Sequence, residues 1–210
     1  MGNLKNISLI LVTIFSFIHF WALSADMRWI VYITKPSVIL ILMNMVWRGG
    51  LNTGYRKWIL FGLGFSLIGD VFLMLPHDLF IPGLISFLIA HLFYIVAFST
   101  ARKGLSLWAI CLCAVYSAGI LFLLWPYLGG LKIPVLCYLL VITLMGSWAL
   151  SNWGALKTKP AVLAAIGALF FMASDTILAF ARFRGGFDHH SIWVMATYFI
   201  AQTLIALSVF

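Results

Sequence analysis

The sequence has no glutamate and only five acidic residues, all of them aspartates, among its 210 residues, and charged residues make up just 9% of it. A soluble domain carries about a quarter charged residues, so this scarcity argues against a water-soluble globular fold. Hydrophobic residues reach 64%, and the mean hydropathy is +1.12. These values are typical of a protein that lies in a membrane.

Motifs for metal and cofactor chemistry are also missing. The three cysteines, Cys111, Cys113 and Cys137, fall inside apolar runs without metal-ligand spacing. We expect them to be small packing residues and not disulfide partners. The sequence has no glycine-rich phosphate loop, no HExxH and no G-x-S-x-G turn. We therefore expect a protein without a metal or cofactor.

Eight apolar runs of about twenty residues fill the chain, and about twenty residues of helix cross a bilayer core. The sequence thus predicts an all-α fold, a polytopic membrane bundle of eight transmembrane helices in one domain over residues 1–210. The predicted spans are 7–25, 29–47, 58–75, 81–100, 106–125, 132–150, 161–181 and 191–210. The first run is predicted to be a retained helix and not a signal peptide, because Leu23 stands where cleavage after Ala25 needs a small residue.

The basic residues, which give the chain a net charge of +8, are unevenly distributed between the two predicted sides of the membrane. With the amino terminus in the cytoplasm, the inner side holds the larger set, as the positive-inside rule requires. We therefore place both termini in the cytoplasm, as in a bacterial inner (plasma) membrane protein, and expect contacts with membrane lipids and none with nucleic acid. The inner set is Lys5, Arg48, Arg56, Lys57, Arg102, Lys103, Lys157 and Lys159, and the outer set is Arg28, Lys132, Arg182 and Arg184.

Three charged residues, Lys35, Asp70 and Asp175, stand well inside predicted spans. Each costs about 2.5–3.5 kcal/mol at the centre of an inserted helix, so such residues normally face a bundle interior and have partners. Pro36 directly follows Lys35 and frees a backbone carbonyl, as occurs at membrane sites. Two plainer interpretations stay open, namely a lysine that snorkels to the headgroups and aspartates that only join helices.

The predicted topology puts these three charges at one depth. Each lies about five or six residues from the outer end of its span, which is about 8–10 Å at 1.5 Å per residue. Other polar residues at this level or nearer mid-span are His19, His91, Tyr94, Tyr198 and Gln202. Polar residues from several helices therefore gather in one slab, although either histidine is also compatible with a packing role. His189 and His190 are expected to be solvated in an outer connection.

A short repeat relates the two halves of the chain. Gly62 precedes Asp70 by eight positions, Gly167 precedes Asp175 by eight, and 105 residues separate the two aspartates. This spacing is half the chain length, so each half holds four predicted helices. We expect two related four-helix halves that meet at a central site.

Two carboxylates in one apolar site resist ionising together, so one keeps a proton while the other acts as a base, particularly beside a cation such as Lys35. The pair then offers a general acid and a general base. Acid–base hydrolysis, proton-coupled transport and structural pairing remain open. An intramembrane aspartyl protease is disfavoured, because Leu67 and Ser174 stand where its signature requires glycine and tyrosine.

Five segments resemble the YhhN or lysoplasmalogenase family of eight-helix membrane proteins, and the likeness covers nearly the whole chain. In order they are TKPSVILILM, GFSLIGDVFLML, GLISFLIAHLFYIVAF, GALFFMASDTILAF and TYFIAQTLIAL. The most specific pieces are the Lys-Pro pair, the first Gly-Asp, the His-x-x-Tyr and the Ser-Asp. The resemblance implies an enzyme that hydrolyses the vinyl ether bond of lysoplasmalogens, releasing a fatty aldehyde and glycerophosphoethanolamine or glycerophosphocholine.

The resemblance also implies the site residues. Asp70 and Asp175 are the implied catalytic pair, one protonating the β-carbon of the vinyl ether and the other activating water. The implied substrate-binding residues are Lys35, His91, Tyr94, Ser174, Tyr198 and Gln202. Lys35, with His91 or the arginines at 182 and 184, is expected to hold the phosphate of a lysophospholipid from the bilayer.

The main alternative is a proton-coupled transporter of a small molecule or lipid that uses the same aspartates, and a non-catalytic lipid-binding protein comes third. A transporter needs a polar path to both faces, whereas a lipid hydrolase needs a cleft closed on one side. Asn44 alone stands out among polar residues of the spans toward the inner side. This distribution favours the hydrolase.

Overall fold

The computed structural model of the protein describes residues 2–49, 53–101 and 104–210. The helices in chain order are α1 (Gly2–Ser24), α2 (Arg28–Arg48), α3 (Thr53–Met74), α4 (Phe80–Ala101), α5 (Leu107–Leu124), α6 (Lys132–Leu156), α7 (Lys159–Arg184) and α8 (His190–Leu207). Each of the eight is long and apolar enough to cross a membrane. The predicted all-α bundle of eight membrane helices is therefore confirmed, and the protein is an integral membrane protein.

Several helices extend beyond their predicted spans. The third helix begins at Thr53 and not at residue 58, and the seventh continues to Arg184 and not to 181. A basic side chain at a helix end places its charge in the headgroup region while its aliphatic carbons stay in the apolar region. The helix therefore continues past the end of the apolar run. As a result, Arg182 lies in the last turn of α7 and not in a loop. The predicted inner residues 102 and 103 lie outside the described part of the chain.

The order of packing is the same in both halves of the chain. Helix α1 packs on α2, α2 on α3 and α3 on α4, and in the same way α5 packs on α6, α6 on α7 and α7 on α8. The most extensive contacts between the halves are those of α4 with α6 and of α8 with α2, and α8 also touches α1 and α3. Exchanging α1–α4 for α5–α8 turns the contact of α4 with α6 into the contact of α8 with α2. This equivalence agrees with the expectation of two related halves.

The two repeated glycines let neighbouring helices approach closely, as small residues do in membrane bundles. A Cβ at Gly62 in α3 would come within 2.2 Å of the ring of Tyr94 in α4. A Cβ at Gly167 in α7 would lie 3.0 Å from the carbonyl oxygen of Ala201 in α8. Gly62 thus lets α4 pack closely on α3, which carries Asp70. Gly167 in the same way lets α8 pack closely on α7, which carries Asp175.

We expect Gly62→Ala to lower the stability of the protein by about 1–3 kcal/mol, because the new Cβ overlaps the completely buried ring of Tyr94. Thermal unfolding of the purified protein in detergent measures the effect. The matched control is Gly64→Ala on the same helix, whose Cβ would meet only Met43 Cε at 3.8 Å. Alanine favours a helix over glycine, so the control should be neutral or slightly stabilising. Equal melting temperatures for the two variants would contradict the prediction.

Candidate active site

Asp70 forms a buried ion pair. Its Oδ1 lies 3.1 Å from Lys35 Nζ, and its Oδ2 accepts a hydrogen bond of 2.6 Å from Tyr198 OH. The side chain of Asp70 is 2% exposed and that of Lys35 is 9% exposed. Lys35 therefore points into the bundle and does not snorkel to the surface. Pairing and hydrogen bonding offset part of the cost of burying both charges.

Asp175 has a different set of partners. The hydroxyl of Tyr138 donates to its Oδ2, and His91 Nε2 lies 3.3 Å from the same oxygen and 2.9 Å from the Tyr138 oxygen. Because Tyr138 gives its proton to Asp175, its oxygen accepts the Nε2 proton of His91. The Nδ1 of His91 is buried without a hydrogen-bond partner among the described residues.

The two carboxylates occupy equivalent places in the two halves. Asp70 on α3 contacts side chains of α2 and α8, and Asp175 on α7 contacts side chains of α6 and α4. Lys35 thus holds the place on α2 that Tyr138 holds on α6. The site is symmetric in its layout and asymmetric in its charge, since an ammonium in one half stands where a phenol stands in the other.

Both aspartates line one cavity of about 390 Å³. Toward its predicted outer end the cavity is lined by Arg182, His190 and Ser191. Asp175 is the more accessible carboxylate, with a side chain 16% exposed. The cavity therefore reaches from the end of the bundle to both carboxylates, and we call it the polar cavity because charged and polar side chains line it among apolar ones.

A second, narrower cleft adjoins this cavity at Asp175. It has a volume of about 50 Å³ and lies between α4, α5, α6 and α7. Most of its lining is apolar and includes Leu84, Ile120, Leu124, Leu139, Ile142 and Met172. Both spaces are lined by Leu73, Phe80, Phe87, Asp175 and Leu178. Asp175 therefore stands at the junction of a polar cavity and an apolar cleft.

An exposed ion pair stands at the predicted outer end. Arg182 Nη2 donates a hydrogen bond of 2.7 Å to Asp78 Oδ2, and this bond holds the pKa of Asp78 below its ordinary value. The guanidinium also lies 4.8 Å from the centre of the Phe80 ring. Arg184 instead lies over the rings of Tyr127 and Phe180 and is not among the residues that line the cavity. Of the two arginines expected to hold the phosphate, Arg182 thus lines the cavity and Arg184 does not.

The predicted site residues separate into two groups. The cavity is lined by Lys35, Asp70, Ser174, Asp175 and Tyr198, whereas His91, Tyr94 and Gln202 line neither space. Tyr94 OH donates a hydrogen bond of 2.7 Å to Gln202 Oε1 and so joins α4 to α8. Ser174 Oγ donates to the carbonyl of Val194 at 3.0 Å, which joins α7 to α8.

Two residues of the site were not predicted. Tyr138 lies in a span without charge or histidine, so nothing local marks it. It does lie 103 residues after Lys35, close to the repeat of 105, and this was the available signal. His190, which was expected to be solvated, is partly exposed, begins α8 and also lines the cavity. His19 also lines the cavity, and its Nδ1 is 2.9 Å from Thr34 Oγ1.

Eight membrane helices, six of which line a cavity with two carboxylates, define a polytopic membrane protein with a cavity inside its bundle. Within residues 2–49, 53–101 and 104–210, no three histidine, cysteine or acidic side chains lie together as a metal site requires. The chain belongs to the YhhN family, whose model matches residues 30–209. The resemblance seen in the five sequence segments is therefore confirmed.

Several known proteins are similar to the chain. Human lysoplasmalogenase TMEM86B is 32% identical over 190 residues, which cover 90% of this chain and 79% of the relative. The lysoplasmalogenase of Mycobacterium bovis is 33% identical over 165 residues, 74% of this chain and 61% of the relative. The uncharacterized membrane protein YhhN of Escherichia coli O157:H7 is 26% identical over 184 residues, 87% and 88% of the two chains. No solved structure gives a significant match.

Proposed function

We propose that the protein is a membrane-embedded hydrolase that cleaves the vinyl ether bond of lysoplasmalogens to a fatty aldehyde and a glycerophosphoethanolamine or glycerophosphocholine. The observation that carries this proposal is the position of Asp175, where the polar cavity that holds Asp70 and Lys35 meets the apolar cleft. The relatives named lysoplasmalogenase support the same substrate class.

The two spaces correspond to the two ends of such a lipid. A lysoplasmalogen has one long alkenyl chain, whose first carbons form the vinyl ether, and a polar glycerophosphate end. The alkenyl chain enters the apolar cleft by displacing flexible side chains such as Leu139 and Met172, and the glycerol lies in the polar cavity. The β-carbon, which belongs to the chain side of the bond, then lies beside Asp175. The α-carbon and its oxygen face Asp70.

The positions of the carboxylates assign their roles. Asp175 is the general acid, because it stands beside the β-carbon and has no lysine or arginine partner among the described residues. Its proton passes to the β-carbon, the π electrons form the new C–H bond, and the α-carbon and ether oxygen share the positive charge of an oxocarbenium ion. Asp70, held beside Lys35 as an anion, stabilises that cation electrostatically.

Hydration and collapse return both carboxylates to their starting states. Water adds to the α-carbon while Asp70 takes one of its protons, which gives a neutral hemiacetal. The hemiacetal then breaks its bond to the glycerol oxygen, which receives the proton from Asp70, while Asp175 takes the hydroxyl proton. The products are an aldehyde and an alcohol, and Asp175 again carries the proton.

The other polar residues of the slab act through the two aspartates. Tyr138 holds Asp175 through its Oδ2, and His91 in turn holds Tyr138, which leaves the other oxygen of Asp175 for the substrate. Tyr198 orients Asp70 in the same way. The bond between Tyr94 and Gln202 fixes α4 against α8 behind the cavity. These residues therefore position the catalytic pair and do not react.

The bundle beyond the aspartates favours a closed site over a transport path. Toward the predicted inner end, Leu63, Tyr94, Phe98 and Ile205 are fully buried and pack together with other apolar side chains. A transported ion or molecule would need a polar route through this region. With both termini in the cytoplasm, the cavity faces the outer leaflet, and the scissile bond of a lipid lies just below its headgroup.

The test is aldehyde release from 1-alkenyl-lysophosphatidylethanolamine by the purified protein in detergent, carried out in D₂O with the aldehyde trapped as it forms. We expect an aldehyde that carries one deuterium on carbon 2, since the β-carbon takes its proton from Asp175. The 1-acyl and 1-alkyl lipids of the same length are the controls and should release no aldehyde. Folded protein that yields no aldehyde, or an aldehyde without deuterium, would refute the proposal.

A further inference from the structure

We propose that Arg182 and Asp78 form a subsite for a zwitterionic phospholipid headgroup, in which Arg182 binds the phosphate and Asp78 binds the ammonium. The ligand replaces the ion pair between the two side chains with two ion pairs of its own. This inference rests on the proposed function for the position of the lipid chain, and it adds the residues that select the headgroup.

The first argument is the distance along α7. Arg182 follows Asp175 by seven residues, which is two helical turns, so the two lie on the same face about 10 Å apart along the axis. Both line the same cavity. In a lysoplasmalogen, seven bonds separate the β-carbon from the phosphorus, an extended length of about 9 Å at ordinary bond lengths. A lipid with its β-carbon at Asp175 therefore places its phosphate at Arg182.

The second argument is the pairing of opposite charges beside the cavity, where Arg182 is a lining residue and its partner Asp78 is not. Arg182 Nη2 lies 2.7 Å from Asp78 Oδ2, and the side chains of these residues are 41% and 67% exposed. Exposed pairs contribute little to stability, so a ligand opens this one at small cost. A phosphoethanolamine or phosphocholine carries the complementary charges four bonds apart, about 5 Å. A zwitterionic headgroup therefore pairs with both Arg182 and Asp78. A phosphate without an ammonium pairs with Arg182 alone.

The third argument is that the surroundings of Arg182 favour the binding of an anion. Arg182 Cζ lies 4.8 Å from the centre of the Phe80 ring, and a guanidinium binds a phosphate through two parallel hydrogen bonds. His190 lines the same end of the cavity, and its Nδ1 donates to the carbonyl of Phe187 at 2.8 Å. The imidazole of His190 therefore lines the same end of the cavity as the arginine.

The plainer interpretation is a latch that ties the connection between α3 and α4 to the end of α7. A latch and a subsite make different predictions for ligands of different charge. If the ion pair is only a latch, breaking it disorders the cavity end and weakens the binding of every lipid equally. If it is a subsite, removing its carboxylate weakens the binding of only those lipids that have an ammonium.

The experiment measures binding of three 1-acyl lysolipids of one chain length to the purified full-length protein in detergent: lysophosphatidylethanolamine, lysophosphatidylcholine and lysophosphatidic acid. We expect Asp78→Asn to weaken the binding of the two zwitterionic lipids about three- to tenfold. The binding of lysophosphatidic acid should be unchanged or tighter. Arg182→Gln should weaken all three by about tenfold. Arg184→Gln is the matched control, because that arginine lies on aromatic rings away from the cavity, and it should change none.

A charge swap separates the two interpretations further. The double variant Asp78→Arg with Arg182→Asp restores a latch, but it moves the cation away from the phosphate position. Recovery of wild-type binding by the swap, equal weakening of all three lipids by Asp78→Asn, or no binding to the wild-type protein would overturn the subsite. None of the probes has a vinyl ether, so the result does not depend on whether the protein releases aldehyde.

Discussion

Asp175→Asn is expected to lower the kcat for aldehyde release by about 10²–10⁴-fold while the protein stays folded. The amide has nearly the shape of the carboxyl group, and its oxygen still accepts the hydrogen bond that Tyr138 donates. It has no acidic proton, so it cannot protonate the β-carbon, which is the step that creates the cation. Binding of the lipid depends on the cavity and the cleft, so the substrate affinity should change much less than kcat.

The measurement compares wild type, Asp175→Asn and Asp26→Asn by aldehyde release at saturating substrate, with thermal unfolding as the test of folding. Asp26 is the matched control because it is an exposed aspartate in the connection between α1 and α2. Asp70→Asn should also be inactive, because no base then takes a proton from water. A variant at 175 that keeps a tenth or more of the wild-type kcat would exclude Asp175 as the acid and move that role to Asp70.

The sequence was sufficient for the parts of the fold that depend on burial in lipid. A run of about twenty apolar residues has one stable form in a bilayer, so the eight helices followed from composition alone. The cost of a charge in hydrocarbon also required partners for Lys35 and Asp70 somewhere in the bundle. The contact of 3.1 Å between them bears out this reasoning.

The identity of each partner was not contained in local sequence. Tyr138 reaches Asp175 because α6 packs between α4 and α7, and that contact depends on the tilt and rotation of the helices. Likewise, Arg182 and Asp78 are 104 residues apart and meet only because two helix ends lie side by side. The pair of Arg182 and Asp78 carries no signal in periodicity or spacing, since a long polar side chain at a helix end has many potential partners.

The ion pair between Lys35 and Asp70 leads to the second large prediction. Lys35→Met should lower the stability of the protein by about 3–5 kcal/mol, because it leaves a buried carboxylate without its cation. Asp70→Asn should be similarly costly, since it leaves the ammonium of Lys35 alone. The double variant Lys35→Met with Asp70→Asn buries no charge, and Tyr198 can still donate to the amide oxygen.

The double variant should therefore be more stable than either single variant and close to wild type, yet it should release no aldehyde. Unfolding in mixed detergent, followed by loss of helical circular dichroism, gives the four stabilities, and the aldehyde assay gives the four activities. Additive losses of stability would show that the two charges are not coupled. Since neutral side chains can replace a buried ion pair with little loss of stability, recovered stability without activity would mean that packing does not require this pair. The reason for two charges inside the membrane would then be the base and the cation stabiliser that the proposed hydrolysis needs.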